Sequence, residues 1–202
     1  MTTKSSRAEL EPQADGRRAR SDRSRAKIVA AMLDLVGAGN VSPNAAEVAA
    51  AAGVGLRTVF RHFDDMDSLY REISDDIEAR VLPIVFQPVK GATWRDRARD
   101  LAERRCRVFE TILPYRISAE CKRFDSPFLM QDYKRMTRLE RVSLESAFPA
   151  KILKNATLFS ALQAALGFQI WRALRTEQEL GVDAARATVL HLVDAILAGA
   201  EA

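Results

Sequence analysis

The sequence predicts an all-α chain: an N-terminal three-helix domain of the helix-turn-helix kind, joined by a fourth helix to a larger helical body. Three observations predict it. Apolar residues recur at helical spacing through most of the chain, as in Leu69, Ile73, Ile77 and Val81. The 9 Gly and 7 Pro among 202 residues are too few for a β-rich chain, which needs a turn signal about every 8–12 residues. Finally, the stretch Asn44 to Phe63 (NAAEVAAAAGVGLRTVFRHF) spells a capped helix, a glycine-marked turn and a second short helix.

Composition sets the outer bounds. An apolar content of 48% with 29% charged residues is that of a soluble globular protein able to bury a sizeable core. Residues 1–63 hold 10 Lys/Arg against 6 Asp/Glu, which leaves 21 of each for residues 64–202. The surplus positive charge therefore sits in the N-terminal third, as suits a polyanion-binding head on a neutral body. Cys106 and Cys121, the two cysteines, read as small buried side chains in a reducing compartment, and no Cys/His cluster is spaced to hold zinc. With no apolar leader and no uninterrupted apolar span, the expected location is the cytoplasm, away from the membrane.

Taken in order, residues 1–20 lack periodicity and read as a disordered basic arm, ending in Arg17, Arg18 and Arg20. That arm is either a solvated tail or a segment that follows DNA phosphates. Residues 21–66 form the helix-turn-helix domain. A first helix from about Ser24 to Val36 buttresses it through Ile28, Ala31, Met32 and Leu35. Asn44 offers an N-cap and Glu47 completes a capping box for a helix over Ala45 to Ala52. Gly53 ends that helix in the left-handed conformation, and Val54 tucks beneath the turn. The second helix then carries Arg57, Thr58, Arg61 and His62 on an exposed face, with Val59 and Phe63 as core. Arg57 and Arg61 lie four apart and share that face; they are read as base or phosphate contacts, against a solvated face. Thr58 and His62 are assigned to phosphate, against plain helix and packing roles.

The run from Arg25 to Leu69, with its AxxAGV turn at Ala49 to Val54, the sequence TVFRHF and a Leu six residues later, resembles the N-terminal DNA-binding domain of the TetR family of transcriptional regulators. That resemblance covers about the first third of the chain. It implies an all-helical homodimer that reads DNA with its third helix and binds a small effector in its C-terminal domain. Asn44, Gly55 and Phe60 join Arg57, Thr58, Arg61 and His62 as the implied DNA-binding positions. Three positions depart from the family pattern: Gly55 replaces a capping Ser, Phe60 replaces a Tyr whose hydroxyl holds phosphate, and Met66 replaces a Lys. Asp64, Asp65 and Asp67 flank the last of these. The grip on phosphate then falls to Arg57, Thr58, Arg61, His62 and the arm.

Residues 67–202 form the helical effector-binding and dimerisation domain. The fourth helix is expected to stop at Pro83, with a loop to Gly91. Helices are expected over Trp94 to Leu113, from Pro114 to about Arg123, and from Pro127 to about Phe148. Arg95, Arg97, Arg99, Arg104, Arg105 and Arg107 read as a solvated, salt-bridged face. Aromatic and Met side chains gather here, and Phe109, Tyr115, Phe124, Phe128, Tyr133, Met136, Phe168 and Trp171 are candidates to line an effector pocket, against a core reading. A final hairpin, from about Lys151 to Thr176 and Asp183 to about Ala198, is apolar on more than one face. Leu158, Ala161, Leu162, Ala165, Leu190, Val193 and Leu197 are its candidate dimer-interface residues, and His191 is an interface or core residue.

The function expected from these parts is a ligand-responsive DNA-binding regulator, a repressor on a pseudo-palindromic double-stranded operator that a small-molecule effector releases. The alternative is a helical homodimer that binds ligands or proteins and has a weakened head. No catalytic constellation, metal-ligand spacing or cofactor motif is present in the sequence, so an enzyme is not expected.

Overall fold

The computed structural model describes residues 11–199 of the chain. Among these residues the structure is helical with no strand, and it divides into two compact units, 1–74 and 75–202.

The first unit is built from α1 (Glu11–Gly37), α2 (Ala45–Ala52), α3 (Leu56–His62) and the first half of α4 (Met66–Val85). α1 packs on α2 and α3 through Ile28, Ala31, Met32, Leu33 and Val36, which meet Val48, Ala49, Val59, Phe63 and Leu69 in one small core. Each large side chain here contributes about 1.5–3 kcal/mol by leaving water. The expected arm differs from what is seen. Residues 11–20 continue α1 toward the N-terminus as helix, while residues 1–10 lie outside the described ones. Apolar periodicity cannot report this segment, but its Ala, Arg, Gln and Glu residues are good helix formers. Pro12 falls in the first turn, where a missing N–H is harmless.

The helices of the second unit depart from expectation in detail. The division between the units falls at Ser74, inside α4. α4 runs through Pro83 to Val85. α5 (Trp94–Lys122) runs through Pro114 as one helix where two were expected. The terminal hairpin's first arm is broken into α7 (Ala150–Lys154), α8 (Ala156–Ala165), α9 (Phe168–Arg172) and a π-helical turn over Ala173–Glu177. Asn155 ends α7 and caps α8, its side chain accepting from the Leu158 amide. Gly167 is extended, with φ −85° and ψ 154°, and so separates α8 from α9. α6 (Pro127–Ala147) and α10 (Val182–Ala198) match the expected spans. α5 lies centrally, packed on α6, α9 and α10 around Phe109, Leu162, Phe168, Trp171 and Val193. No helix among the described residues is long and apolar enough to cross a membrane.

Candidate functional site

The α2–turn–α3 segment is assembled by local hydrogen bonds. The Asn44 side chain accepts from the Ala46 and Glu47 amides at 2.9 and 3.1 Å, and the Glu47 carboxylate returns to the Asn44 amide at 2.8 Å. This closes the capping box anticipated from the sequence. Gly53 takes φ 65° and ψ 34°, and its N–H, with that of Val54, ties back to the carbonyls of Ala49 and Ala50. α3 then starts at Gly55, which supplies no side-chain cap. Val59 and Phe63 are buried beneath it, while Arg57 and Arg61 are exposed together on the opposite face. Leu56 (45% exposed) and Phe60 (48%) share that outer surface, so α3 presents two guanidinium groups beside two apolar side chains. Thr58 and His62 are half-buried at its edges.

His62 sits at the edge of α3. Its Nε2 is buried with no hydrogen-bond partner, and burial, reinforced by Arg61 and Arg25, lowers its pKa. The functional residue that sequence reasoning misses is Arg25. Its Nη1 donates to the His62 carbonyl at 2.6 Å, its Nε donates to Glu72 at 3.1 Å, and its guanidinium lies 4.4 Å from the Phe63 ring centroid. Arg25 thus caps the C-terminus of α3 and links α1, α3 and α4 within one unit. Asp65, one of the three aspartates, acts within the scaffold, where its carboxylate accepts from the Ser68 amide at 2.8 Å in the first turn of α4.

In the second unit the eight pocket candidates differ in burial. Phe109, Phe168 and Trp171 are core, the two Phe rings meeting edge to face at 5.6 Å. Tyr115, Phe128, Tyr133 and Met136 are half-buried, and Phe124 is 75% exposed. A void between Arg105, Phe109, Leu166, Trp171 and Val189 has about 10 Å³ of room, enough for about one water. The interface candidates divide in the same way. Leu162, Ala165, Val193 and Leu197 are buried within the single chain, whereas Leu158, Ala161 and Leu190 are partly open. His191 is exposed. Of the cysteines, Cys106 is buried and its thiol is pushed up to about 12 by that burial, while Cys121 is exposed, contrary to expectation.

The expected solvated arginine face is also corrected, because Arg104 and Arg105 are buried. Arg104 donates to the Val85 and Pro88 carbonyls and to Asp100. Arg105 donates to the Leu166 carbonyl at 2.8 Å and to the Glu140 carbonyl, and its pKa falls to about 10 as burial opposes its charge. The sequence does carry a signal for it: Ala98, Leu101, Ala102, Arg105, Phe109, Ile112 and Arg116 share one helical stripe. Arg116 pairs with Glu140 and Glu120 and lies 4.4 Å over the Phe168 ring. Arg123 lies over Tyr133 at 4.3 Å and Phe124 at 4.8 Å. The aromatic group seen in the sequence is therefore largely covered by guanidinium groups. Among the described residues no group of His, Cys, Asp and Glu is arranged to hold a metal ion.

No family model matches the sequence, and no curated protein matches it. Two solved structures do match in fold. One is a transcriptional regulator from Rhodococcus sp. Rha1, with a TM-score of 0.63 at 16% identity over 87% of this chain and 96% of that one. The other, from Rhodococcus sp., is assigned to the TetR family of transcriptional regulators and gives a TM-score of 0.55 at 17% identity, over 87% of this chain and 98% of that one. The chain therefore has the all-helical fold of TetR-family transcriptional regulators.

Proposed function

We propose that this chain is a ligand-responsive DNA-binding regulator that grips a pseudo-palindromic operator as a homodimer, represses, and is released by a small-molecule effector held in residues 75–202. The observation that carries the reading is the outer face of α3, where Arg57 and Arg61 project together from a helix whose other side is anchored by Val59 and Phe63. A short helix anchored and presented in this way suits the major groove, where Arg reads guanine bidentately and apolar side chains meet the thymine methyl. Leu56 and Phe60 supply the apolar part. The departures at Gly55, Phe60 and Met66 remove phosphate contacts without disturbing the scaffold, so affinity leans on Arg57 and Arg61. Dimerisation is assigned to the outer surfaces of α8 and α10, through Leu158, Ala161 and Leu190. α4 begins in one unit and ends in the other, which suits it to carry a signal along the chain.

DNA retardation over a range of salt tests this. The protein should retard a fragment selected from random sequence, with a steep negative dependence on salt. Arg61→Ala should lose about 10- to 100-fold in affinity, the worth of one bidentate base contact, with unchanged thermal unfolding. A variant that binds as well as the parent would place the reading face elsewhere. A parent that retards no fragment at low salt would favour the ligand-binding dimer without a working head.

A further inference from the structure

We propose that the second unit holds a recessed binding site for a small oxyanion, a carboxylate or phosphate on an apolar body, formed by Arg116, Arg123 and Arg172 around Glu120. This deepens the effector reading given above and rests on it for the link to DNA. The three guanidinium groups come from the second half of α5, from the residue that ends it and from α9, and all face one carboxylate that is itself only 9% exposed.

The distances show that this carboxylate does not satisfy them. Arg116, Arg123 and Arg172 stand 3.6, 3.9 and 3.8 Å from Glu120 oxygens, beyond hydrogen-bond length in each case. The direct hydrogen bonds to Glu120 come from Gln169 Nε2, at 3.0 and 3.2 Å. Arg116 has a second partner in Glu140, and Arg172 has the exposed Glu177 at 3.6 Å. Arg172 Nε is nonetheless buried without an acceptor. Arg105 lies close enough to Arg116 for the two charges to oppose each other, and its own hydrogen bonds go to backbone carbonyls. Four guanidinium groups thus meet three carboxylates, those of Glu120, Glu140 and the exposed Glu177.

Such a cluster is short of acceptors. Guanidinium donors form a fork that matches carboxylate and phosphate oxygens, and a partly satisfied network of this kind is under strain until an acceptor arrives. The surroundings suit an apolar body on that acceptor. Arg123 is held against Tyr133 and against Phe124, whose ring is 75% exposed, and Arg116 lies against Phe168. Side-chain exposures of 12% and 21% set Arg116 and Arg123 back from the surface, and Arg172, at 38%, stands at the rim, an arrangement within reach of a small molecule.

The test is thermal unfolding and calorimetric titration of the full-length protein with benzoate and with phenyl phosphate, using benzamide as the uncharged control. Benzoate or phenyl phosphate should raise the unfolding midpoint where benzamide does not, with the better of the two identifying the oxyanion. Arg172→Gln should lose the effect, and Arg123→Gln serves the same purpose if the first variant fails to fold. Glu120→Gln supplies the sharper arm. Removing the internal competitor should tighten binding by about tenfold, the worth of one charge-assisted hydrogen bond, whereas a purely structural Glu120 would leave affinity unchanged or lower. Equal shifts with benzamide and benzoate, no shift with either anion at a concentration about 100 times the Kd of a weak site, or full binding by the Arg172 and Arg123 variants would each overturn the site. Binding that leaves DNA affinity untouched would overturn the effector reading and leave the site standing.

Discussion

In the first unit helix ends are closed mostly by residues beside them in sequence: Asn44 and Glu47 at the start of α2, Gly53 at its end, Asp65 and Ser68 at the start of α4. In the second unit several are closed by arginines that arrive from far along the chain. Arg104 holds the Val85 carbonyl at the end of α4, Arg105 the Leu166 carbonyl just past α8, and Arg95 the Leu197 carbonyl in the last turn of α10. A guanidinium at a helix C-terminus complements both the unpaired carbonyls and the dipole. The difference teaches where each unit is fragile. The first can be altered one cap at a time, whereas losing one arginine in the second removes bonds between several elements.

The largest effect is therefore expected from Arg105→Met, which keeps the volume and removes the donors. The buried Leu166 carbonyl would lose its donor, at about 1–3 kcal/mol, while the Glu140 carbonyl, inside α6, keeps its helical partner. Relief of the buried charge, whose pKa is already drawn down to about 10, offsets part of this. A net loss of about 2 kcal/mol should appear in urea unfolding followed through Trp94 and Trp171 fluorescence. A loss below about 1 kcal/mol would mean that the desolvation relief dominates and that Arg105 is kept for a role other than stability. Amide exchange in α2 and α3 should not change, because their caps, Asn44, Gly53 and Arg25, all lie within the first unit.

The same contrast explains how much is legible in the sequence. Asn44, Glu47, Gly53, Val59 and Phe63 can be placed from spacing alone, because each acts on a partner within a few residues, and the all-helical class follows from periodicity. The second unit yields its helices but not their joints. Pro83 and Pro114 read as boundaries, yet both lie inside helices that tertiary packing carries through. Leu162, Ala165, Val193 and Leu197 are apolar enough for an interface, but which side of a two-faced helix turns inward depends on α5, and no local pattern encodes that. Arg105 reads as a surface charge because an arginine's usual place is outside, and nothing near Arg25 in the sequence reveals its partners. For Arg105 and Arg116, position on an apolar stripe is the available signal.

A smaller effect, confined to the first unit, comes from His62. Its folded pKa lies below the ordinary 6.5, chiefly through burial and then through Arg61 and Arg25. The unfolded chain therefore takes up the proton first as pH falls. Stability of the first unit should be full above pH 6.5 and should decline as the pH drops from there toward the folded value. His62→Gln should flatten that decline in amide exchange of α3, leaving the second unit's midpoint as it was. An unchanged slope in the variant would assign the acid sensitivity to another group.

The smallest expected change is also the one that separates scaffold from grip. Gly55 sits at φ −73° and ψ 149°, a conformation open to any residue, and a Cβ built there meets nothing within 4 Å. Gly55→Ser should thus be accommodated without strain and place a hydroxyl where it can accept from an amide in the first turn of α3. Stability should rise by only a few tenths of a kcal/mol, since glycine is itself a tolerable N-cap. Binding should respond more than stability does, because the same hydroxyl can reach a phosphate: the salt dependence should steepen by up to about 0.9 of a unit, the value of one added contact. A steeper slope with nearly unchanged stability would show that the sparse phosphate grip of this head is a property of single side chains on an intact scaffold. A gain in stability with no change in slope would mean that the start of α3 does not face the DNA backbone, and Arg57 and Arg61 would then have to meet the groove from a different docking angle.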